Sequence, residues 1–227
     1  MSQCARHATP SHFIPVTISR QARLTRAFSC LKGRFMPGRQ AQILTDTIIR
    51  RALERLSRRP QASRDQAIFL LSLRAGLRAC EIAGLEWPMV LDGNGRVGRT
   101  LVVLDRIAKK GGGRTIPLHS DLRAALQTLR KQTPNPNGPV IVSDRGGGFR
   151  ANSLVNWFGE LYREINAQGC SSHSGRRTFI TKAARNAHKV GASLRDIQIL
   201  AGHRSIEVTQ GYIEGDSDAQ RRLVAIA

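Results

Sequence analysis

The stretch 172–212 constrains the fold most, because glycines divide it into short helical segments. After Gly191, Ser193 and Asp196 form a capping box that opens one helix, and Gly202 ends that helix. The part before Gly191 has apolar residues at helical spacing, which predicts an amphipathic helix with one buried stripe. These residues are Phe179, Ile180, Ala183, Ala184 and Ala187.

Four side chains in the same stretch are suited to phosphate chemistry. His173 and Arg176 are three positions apart at the start of the first helix, so we expect them on one face, near backbone N–H groups that favour an anion. His203 and Tyr212 follow the second helix. Together these residues resemble an acid/base set around a phosphate with a phenol as nucleophile. The alternative is that each is an ordinary packing or surface residue.

The net charge indicates a polyanionic partner. The chain has 36 Lys plus Arg against 16 Asp plus Glu, which gives +20. Charge does not choose between DNA and RNA, and a merely basic structural protein would fit it too. The hydrophobic content of 41% argues against wholesale disorder.

The cysteines signal neither a disulfide framework nor a metal site. Cys4, Cys30, Cys80 and Cys170 are far apart, with no CxxC pair and no histidine at zinc-like spacing. We therefore expect no metal, no cofactor and a reducing cytoplasm. No apolar run is long enough for a membrane span. An Arg-rich, acid-free start also suits a transit peptide, which is the alternative to a cytoplasmic protein.

Patterning along the rest of the chain predicts an α+β fold that is mainly helical with a small antiparallel β-sheet. Residues 1–42 have no sustained period and indicate a flexible basic arm, 43–213 a single folded domain and 214–227 a tail. Runs 99–104 and 114–118 read as the two strands of a hairpin with lysines at its mouth. We predict further helices from Thr45, from a Ser63/Gln66 capping box, from Ser120 and through Leu154–Ile165 up to Gly169, and a short strand at Val140–Val142.

Four segments, taken jointly, resemble the tyrosine recombinase, or phage integrase, family. GLRACEI is similar to its first arginine box and supplies Arg78, while KKGGGRTIPL resembles its lysine hairpin, where the distance to the following proline favours Lys109. HSGRRTF resembles the His-x-x-Arg box, and LAGHRSIEVTQGY the last box, with histidine and tyrosine at the family spacing. The resemblance runs over about 44–213 and implies the catalytic-domain fold of that family.

The resemblance implies a site-specific recombinase that cleaves and rejoins DNA through a 3′-phosphotyrosyl bond. Tyr212 would attack a DNA phosphodiester, and Arg78 and Arg176 would bind its non-bridging oxygens. A phenol ordinarily ionises near pH ~10 and needs a base, for which His173 is the candidate. Lys109 would protonate the leaving 5′ hydroxyl.

Two further residues have implied supporting roles. His203 would hydrogen-bond the scissile phosphate, and Glu81 would hold the Arg78 segment. The bond energy is conserved in the intermediate, so neither ATP nor a metal is needed. Implied partners are double-stranded DNA, a homo-tetramer with one dimer per site, and accessory DNA-bending proteins, which places the protein in the cytoplasm at the nucleoid.

The chain departs from the family pattern in two ways. Gly175 replaces a residue that is usually hydrophobic, which predicts looser packing beneath Arg176. The helical core-binding domain usual before the catalytic domain is missing from the first 40 residues. The chain is then either a catalytic-domain-only recombinase or a truncated, non-catalytic DNA-binding remnant. A type IB topoisomerase would use the same chemistry. A further alternative is a basic structural nucleic-acid binder that matches the motifs by chance, which a preference for RNA would favour.

Overall fold

The structure, a computed structural model, describes residues 41–108, 112–133, 135, 137–212 and 224–225. This part of the chain is mainly helical with a two-stranded antiparallel sheet, so the predicted fold class is confirmed. Short 3₁₀ turns occur at Trp87–Met89 and Ala187–Val190. The helices and strands are α1 (Asp46–Ser57), α2 (Ala62–Arg74), α3 (Ala79–Ala83), β1 (Thr100–Val103), β2 (Arg114–Pro117), α4 (Ser120–Gln132), α5 (Ala151–Glu164), α6 (Ser174–Asn186), α7 (Leu194–Ala201) and α8 (Ile206–Gln210).

Most helix ends follow the local signals. Thr45 caps α1 through its side chain, as predicted. The Ser193–Asp196 capping box also forms: the Ser193 backbone N–H donates to Asp196 Oδ2 at 2.8 Å and the Asp196 N–H to Ser193 Oγ at 3.3 Å. Gly202 ends α7 with a φ of 61°, a left-handed conformation that glycine adopts without strain.

Three local predictions were wrong. Helix α2 begins at Ala62, before Ser63, so the capping box expected there does not form. Helix α5 ends at Glu164 rather than continuing to Gly169. The segment 140–142 forms no strand. Only Val142 makes an isolated bridge, to Gly148, and the preceding Pro139 bridges to Glu86 in a different part of the chain, so no continuous edge is available for pairing.

The β1–β2 hairpin has one buried face. Its register pairs Leu101 with Ile116 and Val103 with Arg114, and these four residues are buried. Their neighbours on each strand point to solvent, as expected for a half-buried antiparallel pair. Position 109, the predicted lysine of the hairpin, lies outside the described residues.

Helix α2 forms the centre of the core. It is buried nearly all round its circumference, which is typical of a helix enclosed by others, and it packs against α1, α4 and α6. A separate, smaller apolar cluster lies between α6 and α7. It consists of the buried side chains of Ile180, Ile197 and Ala201, with Tyr212 packed at its edge.

Gly175 lets α6 approach α2 closely. A Cβ at this position would lie 2.4 Å from Ser72 Oγ and 3.0 Å from Ser72 Cβ, which is closer than such atoms pack. The expectation of looser packing was therefore wrong: the missing side chain is replaced by the neighbouring helix. Because Arg176 is the next residue, this contact sets the distance between the Arg176 backbone and α2.

Gly175→Ala is expected to lower the free energy of unfolding by about 1–3 kcal/mol, because the added methyl group overpacks the α2–α6 contact. Urea unfolding would measure the change. Gly159→Ala in α5 is the matched control, since nothing lies within 4 Å of a Cβ there. The control should gain about 0.5–1 kcal/mol from helix propensity. Shifts of the same sign in both variants would contradict the close contact.

Candidate active site

Arg176 lies at the centre of the site, in the first turn of α6, and is only 2% exposed. Its Nη1 donates to the Gly76 carbonyl and its Nη2 to the Ala201 carbonyl, both at 2.6 Å. Nη2 also lies 2.9 Å from His203 Nε2. Burial, followed by the nearby charge of Arg78, lowers the pKa of Arg176 to about 10, so the guanidinium remains charged at neutral pH.

These contacts define the state of His203. A guanidinium can only donate, so Nε2 accepts the hydrogen bond from Arg176 and the imidazole is neutral. The proton is then on Nδ1, which donates to Thr209 Oγ1 at 2.9 Å. Burial, and after it the charges of Arg176 and Arg78, lowers the pKa of His203 to about 4.

Tyr212 follows α8 directly and stacks on His203. The ring centroids are 5.4 Å apart and the planes differ by 23°. The Thr181 hydroxyl donates to the Tyr212 backbone carbonyl at 3.3 Å, which ties this residue to α6. The half-buried ring borders a cleft of about 290 Å³ that His173 and Arg177 also line.

A buried carboxylate joins two arginines near Arg176. Glu81 is fully buried; its Oε1 accepts from Arg78 Nη1 at 3.0 Å and from Arg114 Nη1 at 2.9 Å. Its Oε2 accepts from the Arg78 backbone N–H at 2.9 Å and from Arg114 Nη2 at 3.0 Å. Burial alone would raise the pKa of Glu81, but the bonds to Arg114 and Arg78 hold it below its usual range.

The structure brings most of the predicted site residues together. Arg176, His203 and Tyr212 are in contact, and Arg78 is near enough to lower two of their pKa values. His173 is exposed, precedes α6 and shares the cleft with Tyr212. Lys109 lies outside the described residues, so the structure does not place it.

The described site carries an excess of positive charge. The site has three guanidiniums, those of Arg78, Arg114 and Arg176, but one carboxylate, that of Glu81, and the His203 imidazole is neutral. Two positive charges are thus left without a carboxylate beside a half-buried phenol. Such an arrangement favours an anion with oxygens on more than one side.

Sequence reasoning missed Arg114 and Thr209. A signal for Arg114 was present: residues two apart on a strand share a face, so Arg114 lies on the same side as Ile116, which is apolar. An arginine on the buried face of a hairpin indicates a buried acidic partner. No comparable pattern marks Thr209, whose contact with His203 depends on the turn between α7 and α8.

The low pKa of His203 predicts a pH-dependent stability. His203 has its ordinary pKa of 6.5 in the unfolded chain and a pKa of about 4 in the folded chain, so the unfolded chain binds the proton first as the pH falls. The free energy of unfolding therefore falls as the pH falls through this window. When the pH is lowered from about 7.5 to about 5, this group should lower the free energy of unfolding by up to about 2 kcal/mol. Urea unfolding of His203→Gln should show a smaller loss. Equal losses in both proteins would contradict the buried neutral imidazole.

A family model described as the phage integrase family matches residues 42–218. The chain belongs to the phage integrase, or tyrosine recombinase, family. The tyrosine recombinase XerC of Nitrobacter winogradskyi is 29% identical over 160 residues, which cover 69% of this chain and 47% of that protein. XerC of Pelobacter propionicus is 32% identical, covering 66% of this chain and 47% of the relative. The chain therefore spans about half the length of these tyrosine recombinases.

Solved structures of integrases share the fold. The Tn1549 transposon integrase, in complex with circular intermediate DNA, matches with a TM-score of 0.63 at 20% identity, covering 82% of this chain and 67% of that one. The XerA recombinase matches with a TM-score of 0.63 at 23% identity, covering 82% and 65%. These likenesses show that the fold is shared.

Two features are absent from the residues that the structure describes. No group of three or more His, Cys, Asp or Glu side chains is placed to hold a metal ion in the part of the chain that the structure describes. Within the same ranges, no helix has the length and apolar character needed to cross a bilayer.

Proposed function

We propose that this chain is a site-specific recombinase that cleaves and rejoins DNA, with Tyr212 as the nucleophile of a 3′-phosphotyrosyl intermediate. One observation carries the proposal: a half-buried phenol stacks on an imidazole that is bonded to a buried arginine, beside an excess of positive charge. Those are the groups required to bind a phosphodiester and attack it. The relatives are tyrosine recombinases, which agrees with this chemistry.

We assign the arginines to the phosphate and the other groups to proton transfer. Arg78 and Arg176 would donate to the non-bridging oxygens, where charge develops in the transition state. His173, which shares the cleft with Tyr212, would accept the phenolic proton. Lys109 would protonate the 5′ oxygen that leaves. Glu81 would keep Arg78 in place through the two hydrogen bonds that they share.

His203 must change state when the phosphate arrives. Its Nε2 accepts from Arg176, so it has no proton to offer a phosphate oxygen at that nitrogen. An anion between the two side chains would take the Arg176 donor and would favour a proton on Nε2. His203 would then donate to the phosphate, while its ring stays stacked on Tyr212.

The organisation of the chain is part of the proposal. Residues 43–213 would form the catalytic domain, 1–42 a basic arm and 214–227 a tail. The substrate would be double-stranded DNA, bound by a tetramer with one dimer per site and aided by DNA-bending proteins. This function implies a cytoplasmic protein at the nucleoid. The basic composition, with a net charge of +20, supports the DNA partner.

Covalent capture on nicked DNA tests the proposal. Duplexes with a randomised core carry a nick placed so that the short strand with the new 5′ hydroxyl diffuses away after cleavage. Religation then fails and the adduct accumulates. Adducts are isolated under denaturing conditions, and their DNA is sequenced to define a preferred duplex. Adducts that end in a 3′-phosphotyrosine at Tyr212 would support the function, and their absence would overturn it.

A second candidate function is DNA binding without catalysis. It is favoured by one observation: the net charge of +20 would bind a polyanion whether or not the site is active. A protein of this kind would bind DNA with a steep salt dependence and form no adduct. Transfer of the captured strand to a second duplex would separate a recombinase from a protein that only relaxes DNA.

A further inference from the structure

We propose that Arg114, which lies in the segment KKGGGRTIPL but has no role in the chemistry assigned above, is a positioning residue for the pair of arginines that binds the phosphate. This inference rests on the proposed function. Arg114 lies at the start of β2, on the hairpin that carries Lys109, and its side chain is 2% exposed. It contacts neither Tyr212 nor the cleft in the described residues, so its effect on the reaction has to pass through other side chains.

Its first link is to Arg78 through Glu81. Arg114 donates from Nη1 and Nη2 to both oxygens of the Glu81 carboxylate, at 2.9 and 3.0 Å. The same two oxygens accept from the Arg78 guanidinium and from its backbone N–H. The parallel bonds fix the plane of the carboxylate, and the carboxylate fixes the start of the short helix α3 from which Arg78 extends.

Its second link is to Arg176 through the end of α7. Arg114 Nε donates to the Leu200 carbonyl at 2.9 Å, and the next carbonyl, that of Ala201, accepts from Arg176 Nη2 at 2.6 Å. Gly202 packs on the Arg114 guanidinium, since a Cβ at that position would lie 2.9 Å from Nη1. The residue after this glycine is His203. Arg114 therefore braces the peptide segment that holds Arg176 and His203.

The pattern of donors requires an arginine. One planar group reaches a carboxylate with two parallel bonds and a carbonyl with a third. A lysine has a single nitrogen and cannot span both partners. Glu81 would then be fully buried with incomplete hydrogen bonding, and it would turn toward Arg78. The separation between Arg78 and Arg176 would no longer be fixed.

Single-turnover cleavage of the duplex recovered by covalent capture tests the inference. Arg114→Lys is expected to slow cleavage about 10–100-fold at saturating DNA, because a small misplacement of the two arginines weakens their contacts with the transition state. The dissociation constant for the duplex should change less than about threefold, since other basic residues supply most of the affinity. Arg106→Lys is the matched control. Arg106 makes the same two-bonded contact with Glu86, at 3.0 and 2.8 Å, on the protein surface.

A second substrate separates positioning from loss of folding. The scissile phosphate is replaced by a methylphosphonate, in which a methyl group takes the place of one negatively charged oxygen. Cleavage of this substrate should depend less on two correctly placed arginines. The ratio of wild-type to Arg114→Lys rates should fall at least about threefold on this substrate. A smaller folded fraction would lower both rates equally and leave the ratio unchanged. A wild-type rate for Arg114→Lys, or an equal deficit on both substrates, would overturn the inference. Absence of adduct in the wild-type protein would instead overturn the proposed function, and this inference with it.

Discussion

Tyr212→Phe is expected to abolish the covalent protein–DNA adduct, with a loss of at least about 10⁴-fold in single-turnover cleavage. The substitution removes one oxygen and keeps the ring that stacks on His203 at 5.4 Å. Packing at the edge of the small apolar cluster is therefore retained. DNA affinity, measured by fluorescence anisotropy, should stay within about threefold of the wild type.

The other tyrosine of the chain, Tyr162, provides the matched control. Its side chain is 2% exposed in α5, and its hydroxyl has no hydrogen-bond partner among the described residues. Burial raises the pKa of Tyr162, which makes it a poor nucleophile. Tyr162→Phe should form the adduct at the wild-type rate. An adduct that persists in Tyr212→Phe would show that the nucleophile had been misassigned.

Arg176→Lys is expected to slow cleavage about 10²–10³-fold, which is the usual effect of losing a placed donor at a developing oxyanion. Arg176 uses its two terminal nitrogens for the Gly76 and Ala201 carbonyls and still extends a donor toward His203. One ammonium group cannot reach the two carbonyls and a phosphate oxygen in the same geometry. Single-turnover cleavage at saturating DNA measures the loss.

Arg123→Lys controls for the structural part of that change. Arg123 also donates to two backbone carbonyls, those of Gly98 at 3.0 Å and Val97 at 3.3 Å, at the start of α4. Both lysine variants should lose stability in urea unfolding, because each leaves a carbonyl without its donor. Only in Arg176→Lys should the cleavage rate fall by more than the loss of folded protein explains. Similar rates in the two variants would mean that Arg176 only supports the fold.

Local signals were sufficient for the elements that carry the site. The capping box at Ser193 and Asp196 and the glycine at 202 define α7 within one residue, because the bonds that close a helix end are made by neighbours in sequence. The wrong predictions, such as the strand at 140–142, concern a segment whose pairing depends on partners elsewhere. Pairing of that kind leaves no periodic trace in the segment itself.

The electrostatic framework of the site was only partly predictable from the sequence. Glu81 and Arg114 are 33 residues apart, and Arg176 meets the Gly76 carbonyl across 100 residues. The motif that contains Gly175 was recognised in the sequence, but the packing role of this glycine was not predicted. Only the path of α2 shows that Ser72 occupies the space that a larger side chain would fill.

Tyr212 rests on the small cluster of three buried and a few half-buried side chains between α6 and α7, apart from the main core around α2. Little apolar area holds this corner, so it should open at a lower energetic cost than the rest of the molecule. On warming, the nucleophile would lose its orientation while most helices persist. The small cluster would then set the highest temperature at which the protein is active. Melting temperatures measured by spectroscopy would lie above the temperature at which activity is lost.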